Sequence, residues 1–360
     1  MWAPCVGQNA SVSLQKITAP DPLEMTGFVV TDLVGASRAT GFVRCAKKVL
    51  MDGATTMARS QSYAWALLGE PISGSSGAIN VDPAQRTDGI AAFVDAVLPR
   101  VRAGELSIDA AKGVGPAELA ELTAADVRSA VRNQATASGT LSDDLLAAGA
   151  FAAAAAALGD LDGKTVAIDG ASRVLPALLS AAAAHGVRVV AISTAKGTVT
   201  SADGLDPDTT ASAWAEHGDT MATELGSELP PTAVFEIDAD IVMCGSKLGV
   251  VGDAVAASMA QRLIVPIAPA PVTAKGLAVA GRRDIVVLPD FITTSGPLFA
   301  DHPADSATPE ILVAAAISSI TSSVTELAGH AEGPYLGACQ RAEEFLATWQ
   351  DTLPFGRPLA

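Results

Sequence analysis

"TVAIDGASRVLPALLSAAAAHGVRVVAIS", residues 165–193, decides the fold. TVAID (165–169) is a short apolar run of strand length that stops at Gly170, a turn residue. RVLPALLSAAAAHG (173–186) reads as a helix closed by Gly186, and VRVVAIS (187–193) as the next strand. Neither strand alternates polar with apolar, the mark of strands covered on both faces. Further apolar runs follow at AVFEIDADIVMCG (233–245), LIVPIA (263–268) and DIVVLPD (284–290), separated by helical or loop segments. Strands alternating with helices predict an α/β chain with a parallel, doubly wound, Rossmann-like sheet of the nucleotide-binding kind.

Upstream, the pattern changes and predicts a separate unit. GFVVTDL (27–33) and ATGFVRCA (39–46) read as strands. In GIAAFVDAVLPRVRAG (89–104), Ile90, Phe93, Val94, Val97, Leu98 and Val101 form a helical stripe, which Pro99 is expected to kink or shorten. GEPISGSSGAINVDP (69–83) reads as a glycine-rich loop shaped for a small anion, yet it carries no lysine, arginine or histidine. An alanine-rich helix at 142–158 is expected to bridge the two units. Thr308 as cap and Pro309 in the first turn open another helix, and a last one carries Leu336, Cys339, Phe345, Leu346 and Trp349 on its apolar side. The expected division is an N-terminal α/β substrate and oligomerisation domain (1–141), a Rossmann-like domain (142–305), and C-terminal helices (306–360) that return to the first domain.

Composition narrows the function. Lys plus Arg number 23 against 39 Asp plus Glu, a net charge of -16, and no basic stripe is present to replace phosphate counterions. That argues against nucleic acid. The apolar run LLAAGAFAAAAAALG (145–159) is too short and alanine-rich for a membrane span, and the start of the chain shows no basic region followed by an apolar core. The expected location is cytoplasmic. Cys5, Cys45, Cys244 and Cys339 are widely spaced, as are the four histidines, so reduced, mostly buried thiols are expected and no metal site.

In order along the chain stand ATGFVR, MARSQSYAWALLGEPISGSSGAI, QATASG, LDGKTVAIDGASRVLPALL, GVRVVAISTAKGTVTSADGLD, ADIVMCG, APAPVTAKG and VVLPDFITTSG. This series resembles the glutamate/leucine/phenylalanine/valine dehydrogenases over roughly residues 25 to 300. The resemblance implies two domains with a small-molecule ligand between them, NAD or NADP as cofactor, and oxidative deamination of an amino acid. It also implies assembly into homo-oligomers.

The same resemblance shows what is missing. The family's catalytic lysine falls at Ser76, its carboxylate-binding lysine at Ala64, and its catalytic aspartate near Gly113, with Lys112 beside it as candidate substitute. Phe42 replaces one of a pair of small residues, while Arg44 is kept; Phe42, Arg44, Ser73, Gly74, Ser76 and Thr294 make up the expected substrate pocket. For the cofactor the implied positions are Thr136, the turn Gly170, Ala171, Ser172, Arg173 and Val174, then Thr194, Lys196, Cys244 and Gly245. Ser172 and Leu175 depart from the glycine fingerprint, and Thr194 stands where an acidic residue would hold the ribose. Thr194 with Lys196 reads first as part of a site that no longer binds dinucleotide at all, and second as room for a 2′-phosphate, hence NADP. A lysine beside the reacting carbon is worth about 10²–10³ in rate, and a placed acid or base about 10²–10⁴. Three readings follow: a non-catalytic ligand-binding or regulatory relative, alone or with an active paralogue; an enzyme of altered chemistry in a biosynthetic pathway; or an active dehydrogenase with displaced catalytic residues.

Overall fold

The computed structural model describes residues 12–19 and 21–360, so Cys5 lies outside the described residues. Contacts divide the chain into two units, residues 1–128 with 339–358 and residues 129–338 with 359–360.

The first unit is built on a five-stranded sheet. Its elements are β1 (Ser13–Thr18), β2 (Met25–Thr31), β3 (Ala39–Ala46), α1 (Met51–Leu67), β4 (Ser73–Val81), α2 (Arg86–Arg102), β5 (Leu106–Ala110) and the short α3 (Ala120–Ala125). The strand order is β1-β2-β4-β3-β5. β3 runs parallel to β4 and β5, whereas β2 is antiparallel to β4 and to β1. One face packs on α2, where Phe93, Val97 and Val101 meet Val43, Ile79, Val81, Leu106 and Ile108. Each such fully buried side chain stabilises the fold by about 1.5–3 kcal/mol. On the other face α1 brings Ala54 and Ala58 onto Val30. Pro99 lies inside α2 without ending it, because it sits in the last turn and its carbonyl still accepts from Ala103 N–H.

Residues 73–81 correct the expectation of an anion-holding loop: they are β4, a central strand with nearly every residue buried. Glycine and serine are weak strand formers, which hid it. The glycines serve close approach. A Cβ on Gly74 would overlap the Ala58 carbonyl of α1, and one on Gly77 would lie 2.9 Å from Phe93. The Ser62 hydroxyl accepts from Gly74 N–H at 2.8 Å, so helix and strand are stitched as well as packed.

Unit two starts with a small hairpin, β6 (Ala135–Thr136) and β7 (Gly139–Thr140), followed by α4 (Leu141–Leu158). Then come β8 (Thr165–Asp169), α5 (Leu175–Ala184), β9 (Arg188–Ser193), β10 (Thr198–Thr200), α6 (Pro207–His217), α7 (Met221–Glu224), β11 (Ile241–Cys244), α8 (Asp253–Ser258), β12 (Leu263–Pro266), α9 (Ala274–Arg282), β13 (Val286–Val287), α10 (Asp290–Thr293), α11 (Pro309–Leu327) and the start of α12 (Pro334–Leu346), whose residues from Cys339 on group with the first unit. The sheet order is β10-β9-β8-β11-β12-β13, parallel except for the β10 edge. This is the Rossmann-like layout, with the order reversing beside β8. Of the run 233–245 only the last part is strand; Pro231–Phe235 is a 3₁₀ turn.

The contact-defined boundary falls after Arg128 instead of at 141, and α11 groups with the second unit instead of returning to the first. Packing gives the reason. Leu141 and Leu145 of α4 share a core with Leu312 and Ala316 of α11 and with Ala300. Gly149 lets the helices close, since a Cβ there would lie 2.7 Å from Ile320. Residues 339–358 group with the first unit. There Glu343 accepts from Tyr63 and pairs with Arg357, while Arg59 donates to the carbonyls of Pro354, Phe355 and Gly356. By length and hydropathy α4 and α11 could each cross a bilayer. In this fold α4 buries Leu145, Ala150 and Phe151, and α11 turns Leu312, Ala316, Ile320 and Val324 inward.

Candidate functional site

In the first unit the positions that the resemblance implies as catalytic are part of the scaffold. Ala64 is buried within α1. Ser76 is 1% exposed in the middle of β4. Gly113 has φ +81, and a Cβ on it would overlap the Cys45 carbonyl oxygen. Cys45 N–H donates to Lys112 O at 3.0 Å, which draws the 111–113 segment against β3. Gly113's own carbonyl accepts from Arg86 at 3.0 and 2.8 Å. No side chain can leave the backbone at residue 113 without moving that strand end. The Lys112 side chain is exposed.

Ser73 and Gly74 serve the scaffold. Ser73 Oγ accepts from Leu33 N–H and donates to the Gly74 carbonyl, and Gly74 is the contact point of α1. Phe42, Arg44 and Ser76 do share one face. Val43, Cys45 and Ile79 point into the α2 core, so their strand neighbours Phe42, Arg44, Ser76 and Ala78 point the other way, with Phe42 opposite Ser76 and Arg44 opposite Ala78. Burial holds the Arg44 guanidinium below its usual pKa. Its Nε and Nη2 are buried without a hydrogen-bond partner, as is Ser76 Oγ.

In the second unit the turn after β8 keeps one feature of a phosphate-binding loop. Gly170 has φ +90, which glycine adopts without strain, and a Cβ there would press on Ser246 at 2.5 Å. Ala171 N–H donates to Ser193 O, Val174 N–H to Ser172 Oγ, and Leu175 N–H to Ser172 O. Pro176 supplies no N–H. Ser172 and Arg173 are exposed, and Arg173 pairs with Asp143 at 2.7 Å. Most of the turn's main-chain N–H groups are thus already taken, as is the Arg173 guanidinium, which leaves a diphosphate few free donors here. The ribose position does not fit NAD: Thr194 is 3% exposed and turned inward, donating to Asp219 O at 2.6 Å and accepting from Lys196 N–H. Lys196 is exposed beside it, matching a 2′-phosphate in charge. Leu175, at the helix–strand packing position, is fully buried.

The remaining positions are more structural than expected. Cys244 is buried, and burial raises its thiol pKa well above normal. Cys45 and Cys339 are likewise buried and outside any disulfide. Gly245 N–H donates to Asp169 at 3.3 Å, as does Ser246 N–H at 3.1 Å. Burial raises the Asp169 pKa despite those bonds and one from Ser193. Sequence reasoning passed over Asp169 because it looked like a strand's last residue. In the fold its carboxylate ties three loop ends together where the sheet order reverses. Thr294 donates to Asp290 O at 2.7 Å. Asp290 itself accepts from Tyr335 OH at 2.7 Å and Ala270 N–H at 2.8 Å, which joins α10, α12 and the loop after β12. Thr136 pairs with Gly139 in the hairpin and lines a groove of about 500 Å³ with Leu141, Asp144, Val313 and Ile317. Among the described residues no group of three or more His, Cys, Asp or Glu side chains is placed to hold a metal.

Comparison with known proteins fits this geometry. Residues 129–300 match the model of the Glutamate/Leucine/Phenylalanine/Valine dehydrogenase family. The chain is 25% identical over 145 residues to a glutamate dehydrogenase of Aeropyrum pernix and 26% over 111 residues to that of Thermotoga maritima. Those matches span 40% and 31% of this chain, and only 35% and 27% of the relatives' own lengths. The fold is similar to the hetero-hexameric glutamate dehydrogenase of Thermus thermophilus, solved in a leucine-bound form, with TM-score 0.78, 19% identity, and coverage of 94% of this chain and 89% of that one. It is also similar to the L-tryptophan dehydrogenase of Nostoc punctiforme, with TM-score 0.60, 16% identity, and coverage of 93% and 96%. Residues 129–300 therefore carry the match to the glutamate/leucine/phenylalanine/valine dehydrogenase family, and the fold as a whole is similar to that of glutamate dehydrogenases.

Proposed function

We propose that this chain is a ligand-binding or regulatory member of the amino-acid dehydrogenases that no longer performs oxidative deamination. The observation that carries the reading is Gly113, where the backbone has closed against the Cys45 carbonyl and leaves no place for a carboxylate. Ala64 and Ser76 remove the ammonium groups from the same unit. Without them a carbinolamine oxygen has no ammonium group beside it and the proton no carboxylate acceptor. Loss of both kinds of help lowers the rate by about 10⁴–10⁷.

The nucleotide-type turn, where retained, favours NADP over NAD, since Lys196 is free to face a 2′-phosphate and Thr194 is not free to hold a diol. Assembly with further copies, or with an active paralogue as a regulatory subunit, is part of the proposal; the Thermus protein is described as hetero-hexameric. The test is NAD(P)H absorbance with a panel of amino acids, and of 2-oxo acids with ammonia. No turnover is expected. A steady rate near 10 s⁻¹, about the enzyme median, would refute the proposal and favour a dehydrogenase with displaced catalytic groups. Turnover of other substrates on the same scaffold would favour altered chemistry instead.

A further inference from the structure

We propose that Asp143 is the internal anion of the turn after β8: its carboxylate holds Arg173 and keeps diphosphate groups out, so that the second unit takes a dinucleotide only when this pair opens. The family resemblance implies NAD or NADP at that turn, and in the closed form the residues present fit neither. Three observations support this closure.

Asp143 is an acid built into the fold. It lies in the first turn of α4 with its side chain 4% exposed. Oδ2 accepts from Thr140 N–H at 3.1 Å and from Thr140 Oγ1 at 2.7 Å, which fixes the carboxylate in place. The hairpin before it is shaped around the group: Gly139 has φ +144, and a Cβ there would lie 2.9 Å from Oδ2. Oδ1 is buried and faces Arg173 Nη1 at 2.7 Å, off the hydrogen-bonding direction, so charge holds the pair. A carboxylate this buried requires a countercharge, and Arg173 supplies it.

Arg173 belongs to the turn itself. It stands between Gly170 and the start of α5 at Leu175, where a phosphate would meet a helix N-terminus. Its side chain is 50% exposed, so an incoming anion reaches it and competes with Asp143 for one guanidinium. While the pair is closed, Arg173 is neutralised, and Asp143 repels a phosphate brought beside it.

Main-chain donors at this point are spent within the chain as well. Gly170 N–H donates to Ser193 Oγ at 2.9 Å, and Ala171 N–H to Ser193 O at 2.8 Å. The loop after β11 gives its Gly245 and Ser246 N–H groups to Asp169. Two carboxylates of the chain, Asp143 and Asp169, thus take the donors beside the place where the sheet order reverses.

Thermal-shift and calorimetric titration of the full chain with NADP+, NAD+ and inorganic pyrophosphate test the closure. The parent is expected to give no response at millimolar concentration. Asp143→Asn keeps an oxygen for Thr140 and drops the charge. It should fold, as circular dichroism would show, and bind pyrophosphate and NADP+ at least about tenfold more tightly than the parent, less so as salt is raised. Asp143→Ser, which keeps a hydroxyl at the same place, is the second variant and should gain likewise. Adding Arg173→Met to Asp143→Asn should remove the gain. Micromolar dinucleotide binding by the parent overturns the inference. So does a folded Asp143 variant that binds no better than the parent, or a gain that survives Arg173→Met. NAD(P)H absorbance separates the closure from the lost deamination, which rests on the first unit. Binding by the parent without turnover overturns the closure alone. Turnover that appears only in Asp143→Asn upholds the closure and refutes the lost deamination.

Discussion

Gly113→Asp restores the residue type that the family resemblance implies at that place, and its cost can be worked out from the fold. At φ +81 an L-residue is generally strained by about 1–2 kcal/mol. Aspartate tolerates positive φ better than most, so the lower end applies. The larger effect is the overlap of the new Cβ with the Cys45 carbonyl. Relief requires the 111–113 segment to leave β3, which breaks the 3.0 Å bond from Cys45 N–H to Lys112 O at about 1 kcal/mol. The exposed fork from Arg86 to Gly113 O is disturbed as well, for less. The sum is about 2–3 kcal/mol. With a urea slope of about 1–3 kcal/mol per molar, the denaturation midpoint falls by about 1 M. Gly115→Ala is the control: φ is -87 and the nearest atom to its new Cβ is Glu118 Oε2 at 3.4 Å, so a change within about 0.5 kcal/mol is expected. Urea unfolding followed by circular dichroism measures both. A Gly113→Asp protein as stable as the parent would show that the carboxylate's place is open, and the argument from closure would fail.

Two further changes probe the scaffold. Asp126→Asn removes a buried partner of Arg128 and should cost about 3 kcal/mol near pH 7. Burial pushes the Asp126 carboxyl up, but the hydrogen bonds and charge of Arg128 more than offset this, and its pKa lies below the ordinary value. A depressed carboxyl contributes stability above the unfolded pKa of about 3.9 and loses it as pH falls through the folded value. The gap between parent and variant should therefore narrow below about pH 4, and a gap constant to pH 2 would count against the pairing. Tyr335→Phe deprives the fully buried Asp290 of its 2.7 Å donor and should lower stability by about 1–3 kcal/mol in thermal or urea unfolding; no change would mean that Asp290 is satisfied in another way.

Much of the second unit was legible because its strands are plain. TVAID forms β8 as read, VRVVAIS gives β9 less one residue, and the Thr308 cap accepts from Ile311 N–H at the start of α11. What escaped reading was encoded by tertiary contact. β4 is a central strand written in glycine and serine, intelligible only once α1 lies on Gly74 and Phe93 on Gly77. The packing partner of the helix at 309–327, the Leu141 and Leu145 face of α4, is distant in sequence and so not legible from it. At the site, the residue types Ala64, Ser76 and Gly113 at the positions the resemblance implies could be read from the sequence. That Gly113 is closed, that Thr194 faces inward, and that Arg173 meets Asp143 are facts of backbone and side-chain direction, which one sequence does not carry.

The most direct test of lost deamination is a single-turnover measurement with enzyme in excess of reduced cofactor. Protein, NADPH or NADH, ammonia and a panel of 2-oxo acids are mixed and nicotinamide absorbance is followed for an hour. The prediction is a flat trace, indistinguishable from protein without 2-oxo acid. An exponential loss of absorbance that consumes the cofactor, and that yields the matching amino acid, would show the chemistry to be intact and contradict the account.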